Sequence, residues 1–410
     1  MRIWMSALVA VVGAAVVGGG VWSGLSAQEV APSCRMCPGT YVAKSEIDAY
    51  VARAIKNNIV DQQIRAVDIG KSHLGVGVVY RGRLTNPEPA VAEHDLVSEL
   101  YHIIEGTATL QLGPDLVGMT RRPASQKTVR VQNGPGNGAK AIRNGISYEL
   151  KAGDVVIIPA GTGHLFTKID DHITYLMVRF DPDKIVPVKT EAESKADLQT
   201  DGTETPAQAA AEGKKFAHLG NEYQPSCKLC PGTYIPKSEI DAYIKRAIAN
   251  QLTDQGIRQV DIGKVNVGVG VVHRGRLANP ENNVAEHDLV SELYHVIDGS
   301  ATLKLGPDLV GKVRRPANLT TVRLLNGPGN NAKEIRNGVS YNIKAGDVVF
   351  IPAGTGHQFT RIDDHITYLM VRVDPDKVTP HKTEADSKAD LTTDGRATAG
   401  GGAGAANPVR

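Results

Sequence analysis

The chain has 410 residues, of which 41% are hydrophobic and 22% charged, and it contains 43 glycines and 22 prolines. This composition is typical of a globular protein with many turns and excludes a wholly disordered chain, and the length indicates two domains of ordinary size. The formal net charge is +2, from 46 basic and 44 acidic side chains, so no broad field attracts nucleic acid or anionic lipid, and both are disfavoured as partners.

The first feature in chain order is an apolar segment. Residues 3–25 carry no charge, and small residues follow before the polar Gln28. This pattern predicts a secretory signal peptide over residues 1–27 and a protein exported to the periplasm or the extracellular space. Leu25 is larger than signal peptidase usually accepts at its position, so an uncleaved membrane anchor is the open alternative.

The remaining chain consists of one pattern that occurs twice. Residues 34–202, the first repeat, recur without a gap 193 positions later as residues 227–395, the second repeat. This recurrence indicates an internal duplication and two tandem domains. The intervening residues 203–226 predict a solvated linker, and the Gly- and Ala-rich residues 396–410 predict a disordered tail.

Each repeat begins with a helical pattern. Ser45 and the residues after it predict a capped helix start. Ile47, Val51, Ile55 and Ile59 follow at intervals of four residues, which predicts one apolar stripe along the helix. The second repeat has the same pattern.

Short runs rich in β-branched and aromatic residues follow the helix, with Gly-containing turn pairs between them. Many short strands without intervening helices predict a mainly β domain, an antiparallel sandwich or barrel. In the first repeat the predicted strands are residues 76–80, 99–104, 108–112, 128–131, 146–150, 155–158 and 173–178.

Two segments of each repeat carry side chains suited to chemistry. Residues 91–102 are identical to residues 284–295, and residues 158–164 are identical to residues 351–357. Two His and one Glu that converge would hold a divalent transition metal and leave coordination positions open. Such a set suits Fe(II) first, with Mn, Ni or Zn also compatible. The candidate ligands are His94, Glu99 and His164 in the first repeat and His287, Glu292 and His357 in the second.

The spacing of these residues resembles that of the cupin superfamily, and their repetition resembles its two-domain bicupins. His94, then four residues, Glu99, then six residues, Gly106 is similar to the first cupin motif, and residues 153–164 are similar to the second. The resemblance implies two tandem cupin jelly-roll barrels with a metal inside each, and the helical segment lies ahead of each barrel. It covers about residues 76–179 and 269–372.

The motifs depart from the cupin pattern at two places. Ala92 and Ala285 stand where the first motif usually carries its first His, so that three ligands remain in each copy. Lys168 and Arg361 stand where the second motif commonly ends with Asn. The missing ligand indicates either an open position for substrate or water, or a barrel that has lost its metal.

Tyr101 and Tyr294 are the candidate catalytic residues. Each lies two residues beyond the motif glutamate, so on a strand its side chain faces the same interior. A phenol there can act as acid, base or orienting donor, and a plain pocket wall is the alternative. The Glu-x-Tyr pair also resembles one found in cupin lyases that cleave dimethylsulfoniopropionate.

A long stretch between the two motifs is rich in arginine. These side chains predict either a cover over the barrel mouth that holds a carboxylate by paired hydrogen bonds, or a solvated basic loop. The arginines of the first repeat are Arg121, Arg122, Arg130 and Arg143.

Each repeat also starts with a Cys-x-x-Cys pair. The pairs are Cys34 with Cys37 and Cys227 with Cys230. In an exported protein a disulfide is the first expectation, while a four-Cys metal site that joins the repeats and a redox exchange pair are the alternatives.

Together these features predict an exported, metal-dependent bicupin enzyme that acts on a small organic molecule, with a carboxylated substrate and dioxygenase-type chemistry as the first choice. A non-oxidative lyase, decarboxylase or isomerase would use the same metal as a Lewis acid. The competing class is a non-catalytic ligand-binding or structural bicupin. Membrane association is expected only with an uncleaved leader, and a homo-oligomer is compatible with the sequence.

Overall fold

The computed structural model describes residues 30–85, 88, 90–278 and 284–396. The predicted signal peptide and residues 397–410 of the predicted tail lie outside the described residues. Within the described ranges, no helix is long and apolar enough to cross a membrane.

Strands dominate both repeats. The described strands that come from the first repeat are β1 (Thr40–Val42), β2 (Asp61–Asp68), β3 (His73–Leu84), β4 (Val91–His94), β5 (Ser98–Gly113), β6 (Leu116–Val117), β7 (Thr120–Arg121), β8 (Gly136–Ala139), β9 (Ala141–Ile142), β10 (Ile146–Lys151), β11 (Val155–Ile158) and β12 (Gly163–Asp181). Those from the second repeat are β13 (Thr233–Ile235), β14 (Asp254–Asp261), β15 (Asn266–Arg274), β16 (Leu277–Ala278), β17 (Val284–His287), β18 (Ser291–Gly306), β19 (Asp308–Val310), β20 (Val313–Arg314), β21 (Gly329–Ala332), β22 (Glu334–Arg336), β23 (Val339–Lys344), β24 (Val348–Ile351), β25 (Gly356–Ile362) and β26 (Ile366–Asp374). The described α-helices are α1 (Lys44–Asn57), α2 (Glu191–Asp197), α3 (Pro206–Lys215), α4 (Lys237–Asn250) and α5 (Glu384–Asp390).

Two long strands tie the first repeat together. β5 and β12 pair with each other along their lengths and belong to two antiparallel sheets, ordered β2-β3-β12-β5-β11-β13 and β10-β5-β12-β4-β8-β7. The second repeat has the matching orders β14-β15-β26-β18-β24-β1 and β23-β18-β25-β17-β21-β20. The outer strands of the two sheets do not pair within the described residues, so each repeat is an open jelly roll. The predicted mainly β fold class, with two tandem jelly rolls each preceded by a helix, is confirmed, but within the described residues neither jelly roll closes into the predicted barrel.

One of the Gly-containing turn pairs predicted between strands, Glu105 with Gly106, is a bend inside one strand. Gly106 has a φ of +80°, and a Cβ there would lie 2.0 Å from the carbonyl oxygen of His172, so only glycine fits. Strand pairing continues on both sides of the bend. The two strands predicted at 99–104 and 108–112 are therefore the single strand β5.

The strand predicted at 128–131 is wrong, because Val129–Asn133 form a π-helical turn. The buried Arg130 donates to the carbonyl of Ala124 at 3.0 Å, and Val129 packs against Leu219. The Arg130 guanidinium satisfies backbone carbonyls of this segment, so these carbonyls need no hydrogen-bond partner in a neighbouring strand.

Helix α1 differs from its prediction in two ways. Its start has no side-chain cap, so the predicted capping at Ser45 is wrong. Its buried side holds Ile47, Tyr50 and Ala54, whereas Ile55 is 55% exposed. Steps of four residues advance about 40° around a helix beyond a full turn, so the predicted stripe drifts off the buried side.

The two repeats exchange their first strands. β1 extends the sheet of the second repeat, with Tyr41 opposite Val349, and β13 extends the sheet of the first. Leu100 and Leu293 belong to one apolar cluster that contains buried residues from both repeats. The repeats therefore share a core and form one body.

The segment predicted as a linker is packed on the first repeat at several points. α3 buries none of its residues, but Leu219 packs against Ala124 and Val129. Glu204 forms an ion pair with Arg130. These contacts attach residues 203–226 to the π-helical turn of the first repeat.

Candidate metal centre

The predicted ligands converge in two sets, one inside each repeat. β4 carries His94, β5 carries Glu99 and β12 carries His164, and their ligand atoms lie within 4.8 Å of one another. The register that places His164 opposite Ala92 brings β12 beside β4. The second set consists of His287, Glu292 and His357.

The glutamate lies between the two imidazoles in both sets. In the first set, Nε2 of His94 is 3.3 Å from Oε1 of Glu99, and Nε2 of His164 is 3.7 Å from Oε2. The corresponding distances to Glu292 in the second set are 3.3 and 3.7 Å. All six residues are buried, so each set is a buried cluster of nitrogen and oxygen donors.

The surroundings set the charge of the first cluster. Burial by itself would raise the pKa of the Glu99 carboxyl, but His94, His164 and Arg179 together outweigh burial and hold that pKa well below its ordinary value. Burial lowers the pKa of His94 to about 4 and also lowers the pKa of His164. Near neutral pH the cluster is thus one carboxylate and two neutral imidazoles, the protonation state that binds a divalent cation.

The residues fit a metal ion. Nε2 of His94 and Oε1 of Glu99 are buried and face each other at 3.3 Å, and neither has any other hydrogen-bond partner among the described residues. Buried polar atoms are normally satisfied, so atoms left without a partner indicate a bound group. Two imidazoles and a carboxylate with open positions are a donor set for a divalent transition metal.

One contact would change when a metal binds. Nδ1 of His94 faces the guanidinium of Arg122 at 2.5 Å, and Nδ1 of His287 faces Arg315 at 2.6 Å. A guanidinium only donates, so neutral His94 carries its own proton on Nε2. A metal at Nε2 requires that proton on Nδ1 instead, and binding would therefore displace the guanidinium.

Tyr101 lies in the site as predicted and contacts the motif glutamate. Its hydroxyl donates to Oε2 of Glu99 at 2.8 Å, and its ring stacks on Tyr175 with 4.4 Å between centroids. Burial raises the pKa of Tyr101 well above its ordinary value, so the phenol stays protonated. Tyr294 donates to Glu292 at 2.8 Å in the same way.

A cavity of about 690 Å³ opens beside the first cluster, and Arg81, Arg122 and Lys127 are among the residues that line it. These cations contact neutral groups. Arg122 donates to the carbonyl of Glu93 at 2.5 Å, Lys127 donates to the carbonyl of Gly202 at 2.9 Å, and Arg81 lies over the ring of Phe166 and hydrogen-bonds the Tyr175 hydroxyl. These three cations are available to an anion, and the carboxylates of Asp61, Glu193 and Asp197 line the same cavity.

Further atoms of the cavity wall also lack a protein partner. In the described part of the chain, Oδ1 of Asp61, Nε of Arg81, Nε of Arg122 and Oε1 of Gln132 are buried without a hydrogen-bond partner, and all four residues line the cavity. Both donors and acceptors are present among them. A bound molecule with an anionic group and a donor would satisfy both kinds once the cavity wall adjusts to expose these buried atoms.

Only one of the four arginines of the arginine-rich stretch reaches the site, although Lys127 and Gln132 of the same stretch also line the cavity. Arg122 lines the cavity, while Arg121 pairs with Asp95 and Arg130 lies under the linker segment. The Arg143 side chain is 64% exposed. The stretch is therefore neither a complete cover nor a wholly solvated loop.

Sequence reasoning missed Arg81, Gln132 and Arg179. Arg179 holds Asp61 at 2.5 Å and approaches Glu99 at 3.8 Å. A charged residue directly after an apolar strand pattern was the available signal for both arginines. Gln132 had no such signal, because its segment was predicted as a strand.

Both Cys-x-x-Cys pairs form disulfides, Cys34 with Cys37 and Cys227 with Cys230, with Cα atoms 5.7 Å apart in each. No free thiol remains, so a four-Cys metal site that joins the repeats does not form. Each pair lies against the other repeat, because the strand that follows it is exchanged.

The fold and the two clusters agree with what the motif resemblance implies, namely two tandem jelly rolls with one His-Glu-His set in each. No protein-family model matches the chain, and no curated protein matches it. Among solved structures, the chain is similar to a salicylate 1,2-dioxygenase from Pseudaminobacter salicylatoxidans at 10% identity, with 87% of this chain and 88% of that chain covered and a TM-score of 0.46. For the structure of the same dioxygenase with gentisate, the identity is 11%, 85% of this chain and 84% of that chain are covered, and the TM-score is 0.45. An oxalate decarboxylase gives 13% identity, 79% of each chain and a TM-score of 0.32. The fold assignment rests on the strand order and the converged motif residues of this chain.

Proposed function

We propose that this protein is a metal-dependent enzyme that acts on a small organic carboxylate by oxygenase-type chemistry, in the cavity of the first repeat. The observation that carries the proposal is the cavity wall, where buried polar atoms without protein partners surround a His-Glu-His cluster. Such groups cost free energy when nothing satisfies them. A binding site is the simplest reason to retain them.

A divalent metal held by His94, Glu99 and His164, with Fe favoured, would supply Lewis-acid or redox chemistry at its open positions. The chain itself binds and orients the substrate. Arg122 and Lys127 attract the carboxylate, and Oε1 of Gln132 accepts a hydrogen bond from a substrate hydroxyl or amine.

Tyr101 acts as an orienting donor in this proposal. Its hydroxyl proton points at Glu99, and its raised pKa opposes a role as a base at neutral pH. The phenol therefore holds the carboxylate ligand in place and keeps a protonated group beside the cavity. We assign Tyr294 the same role toward Glu292, on the matching hydrogen bond.

Export is part of the proposal. The leader pattern over residues 1–27 supports it, and so do the two disulfides, because disulfides persist in oxidising compartments. The periplasm or the extracellular space is the proposed location.

The first experiment measures metal and turnover together. We expect purified protein to hold about two divalent transition-metal ions per chain, one for each three-ligand set, by elemental mass spectrometry. His164→Ala and His357→Ala should each remove about one ion, and the double variant both. Benzoate, hydroxybenzoates and succinate are then screened for oxygen uptake, each beside its primary amide as the uncharged control.

The outcomes separate the candidate functions. Uptake with a carboxylate but not its amide, lost in His164→Ala, supports the proposal. Substrate loss without oxygen uptake would replace the oxygenase with a non-oxidative lyase, decarboxylase or isomerase. A folded wild type with neither metal nor turnover would identify a ligand-binding or structural bicupin.

A further inference from the structure

We infer that each disulfide loop is a positioning element for the metal-ligand histidines of the opposite repeat. The first loop, residues 33–37, contains the Cys34–Cys37 disulfide, and the second loop, residues 226–230, contains the Cys227–Cys230 disulfide. The exchanged strands β1 and β13 carry the loops across. The inference rests on the metal clusters of the proposed function.

The first loop touches both ligand-bearing segments of the second repeat. The backbone N–H of Ser33 donates to the carbonyl of Asp288 at 2.7 Å, and Asp288 directly follows a ligand histidine. The hydroxyl of Thr355 donates to the carbonyl of Cys37 at 2.7 Å, and Thr355 lies two residues before the other ligand histidine. The loop thus bridges the two segments whose separation sets the distance between the imidazoles.

The backbone of the second repeat packs directly against the first loop. Gly354 has a φ of +83°, and a Cβ there would lie 2.6 Å from the carbonyl oxygen of Cys34. Its own N–H donates to the carbonyl of His287 at 2.7 Å. The carbonyl of Thr355 lies 3.5 Å from Nδ1 of His357. A shift of the loop therefore reaches both histidines through backbone in direct contact with it.

The second loop makes the same contacts with the first repeat. Ser226 donates to the carbonyl of Asp95 at 2.8 Å, and Thr162 donates to the carbonyl of Cys230 at 2.7 Å. Gly161 donates to the carbonyl of His94 at 2.7 Å. Each cluster is thus completed by a loop that comes from the other repeat.

The disulfides themselves indicate a local role. Each joins residues only three positions apart in sequence. In the chain-entropy account, a disulfide stabilises a fold least when it closes a short loop. Its direct effect is to fix the backbone carbonyls of the loop, which are the groups that contact Thr355 and Thr162.

The test removes one loop's disulfide and reads the two clusters separately. In the full chain, His164→Ala leaves the second cluster, and His357→Ala leaves the first. Each background receives Cys34→Ala with Cys37→Ala, or Cys227→Ala with Cys230→Ala. The readouts are the Co²⁺ dissociation constant and the visible absorption spectrum of bound Co²⁺.

We expect a crossed pattern. Loss of the first disulfide should weaken Co²⁺ binding by the second cluster about tenfold and change its spectrum, as for other groups that orient metal ligands, while the first cluster keeps its affinity. Loss of the second disulfide should weaken Co²⁺ binding by the first cluster, while the second cluster keeps its affinity. Equal effects on both clusters, or an effect on the same repeat, would overturn the inference.

A second pair of variants protects the test against general loss of folding. Thr355→Val removes the hydroxyl that donates to the loop, and Thr355→Ser keeps it. The valine variant should weaken Co²⁺ binding by the second cluster, and the serine variant should restore it; identical affinities would count against the inference. If the parent chain binds no Co²⁺ at either cluster, the proposed metal function itself fails, which is a different result from an uncrossed pattern.

Discussion

In the first repeat, Gln132 lines the cavity beside the metal cluster, and Gln63 lies near it on β2. The second repeat has Leu325 and Gly256 at the equivalent positions, and Leu325 comes within 2.9 Å of the place where a Gly256 Cβ would stand. A polar pair is thus replaced by a leucine and the glycine that makes room for it. The ligand distances meanwhile agree between the repeats.

This contrast distinguishes the residues that would bind a metal from the residues that would bind a substrate. Groups that would hold a metal are the same in both repeats, whereas groups that would face a substrate differ. Lys127, one of the cations at the first cavity, is replaced by Thr320 in the second repeat. Val188 of the cavity wall is replaced by His381. Two clusters of equal chemistry therefore need not accept the same molecule.

We expect the strongest loss of substrate affinity when Gln132 of the first repeat is replaced by leucine, the residue at the equivalent position of the second repeat. Gln132→Leu removes a buried acceptor that the proposed substrate satisfies, at a cost of about 2 kcal/mol. Binding of the tightest carboxylate from the oxygen-uptake panel should weaken about thirtyfold, measured by calorimetric titration.

Leu325→Gln is the matched control and should leave that affinity unchanged. Both variants should keep about two metal ions per chain, as expected for two three-ligand sets. If the Gln132→Leu protein binds the carboxylate as tightly as the parent chain, the substrate does not bind in the first cavity as proposed. The difference between the two repeats at this position would then have no effect on substrate binding.

The sequence was sufficient for the ligand clusters because their identity lies in residue type and spacing. His94 and Glu99 sit on strands that a motif can place, and Tyr101 follows from strand alternation. The continuous strand through Gly106 was not predictable, because a Glu-Gly pair reads as a turn until the partner strand is known. The exchange of β1 and β13 was hidden for a similar reason.

Two repeats with near-identical sequences offer the same pairing edges, so local pattern cannot decide which edge each first strand joins. The same limit applies to the cavity wall. Gln132 and Arg81 matter through neighbours that are distant in the chain, such as the Asp61 carbonyl that accepts from Gln132 at 2.9 Å. Long-range contact, rather than propensity, selected these residues.

A smaller effect is expected at the arginine that faces the ligand histidine. Arg122→Met removes a donor that keeps the His94 proton on Nε2, and it removes a positive charge beside a cation site. Co²⁺ binding by the first cluster should tighten about tenfold, which is similar in size but opposite in sign to the usual effect of removing a group that orients a ligand histidine. The measurement is a Co²⁺ titration in the His357→Ala background.

Arg143→Met changes an exposed arginine of the same stretch and should have no effect on Co²⁺ affinity. Arg315→Met, in the His164→Ala background, should repeat the gain in the second cluster. Weaker Co²⁺ binding in both arginine variants would show that the guanidinium supports the ligand geometry, contrary to the contact with Nδ1.

The smallest expected effect lies where the two repeats meet. His102 and His295 face each other across the shared core, Nδ1 to Nδ1 at 2.7 Å, so one ring donates and the other accepts. Burial lowers the pKa of His102 to about 4, and burial, with His102 beside it, lowers the pKa of His295. The folded chain therefore keeps both rings neutral while the unfolded chain takes up protons near pH 6.5, so the free energy of unfolding falls as the pH drops through that value. His102→Gln should reduce the loss of unfolding free energy between pH 7 and pH 6 by about 0.7 kcal/mol, about threefold in the unfolding equilibrium, measured by urea unfolding.

His218→Gln, at an exposed position, controls for the loss of a histidine in general. A His102→Gln chain with the same pH slope as the parent would mean that the two repeats part, or admit water, at this contact.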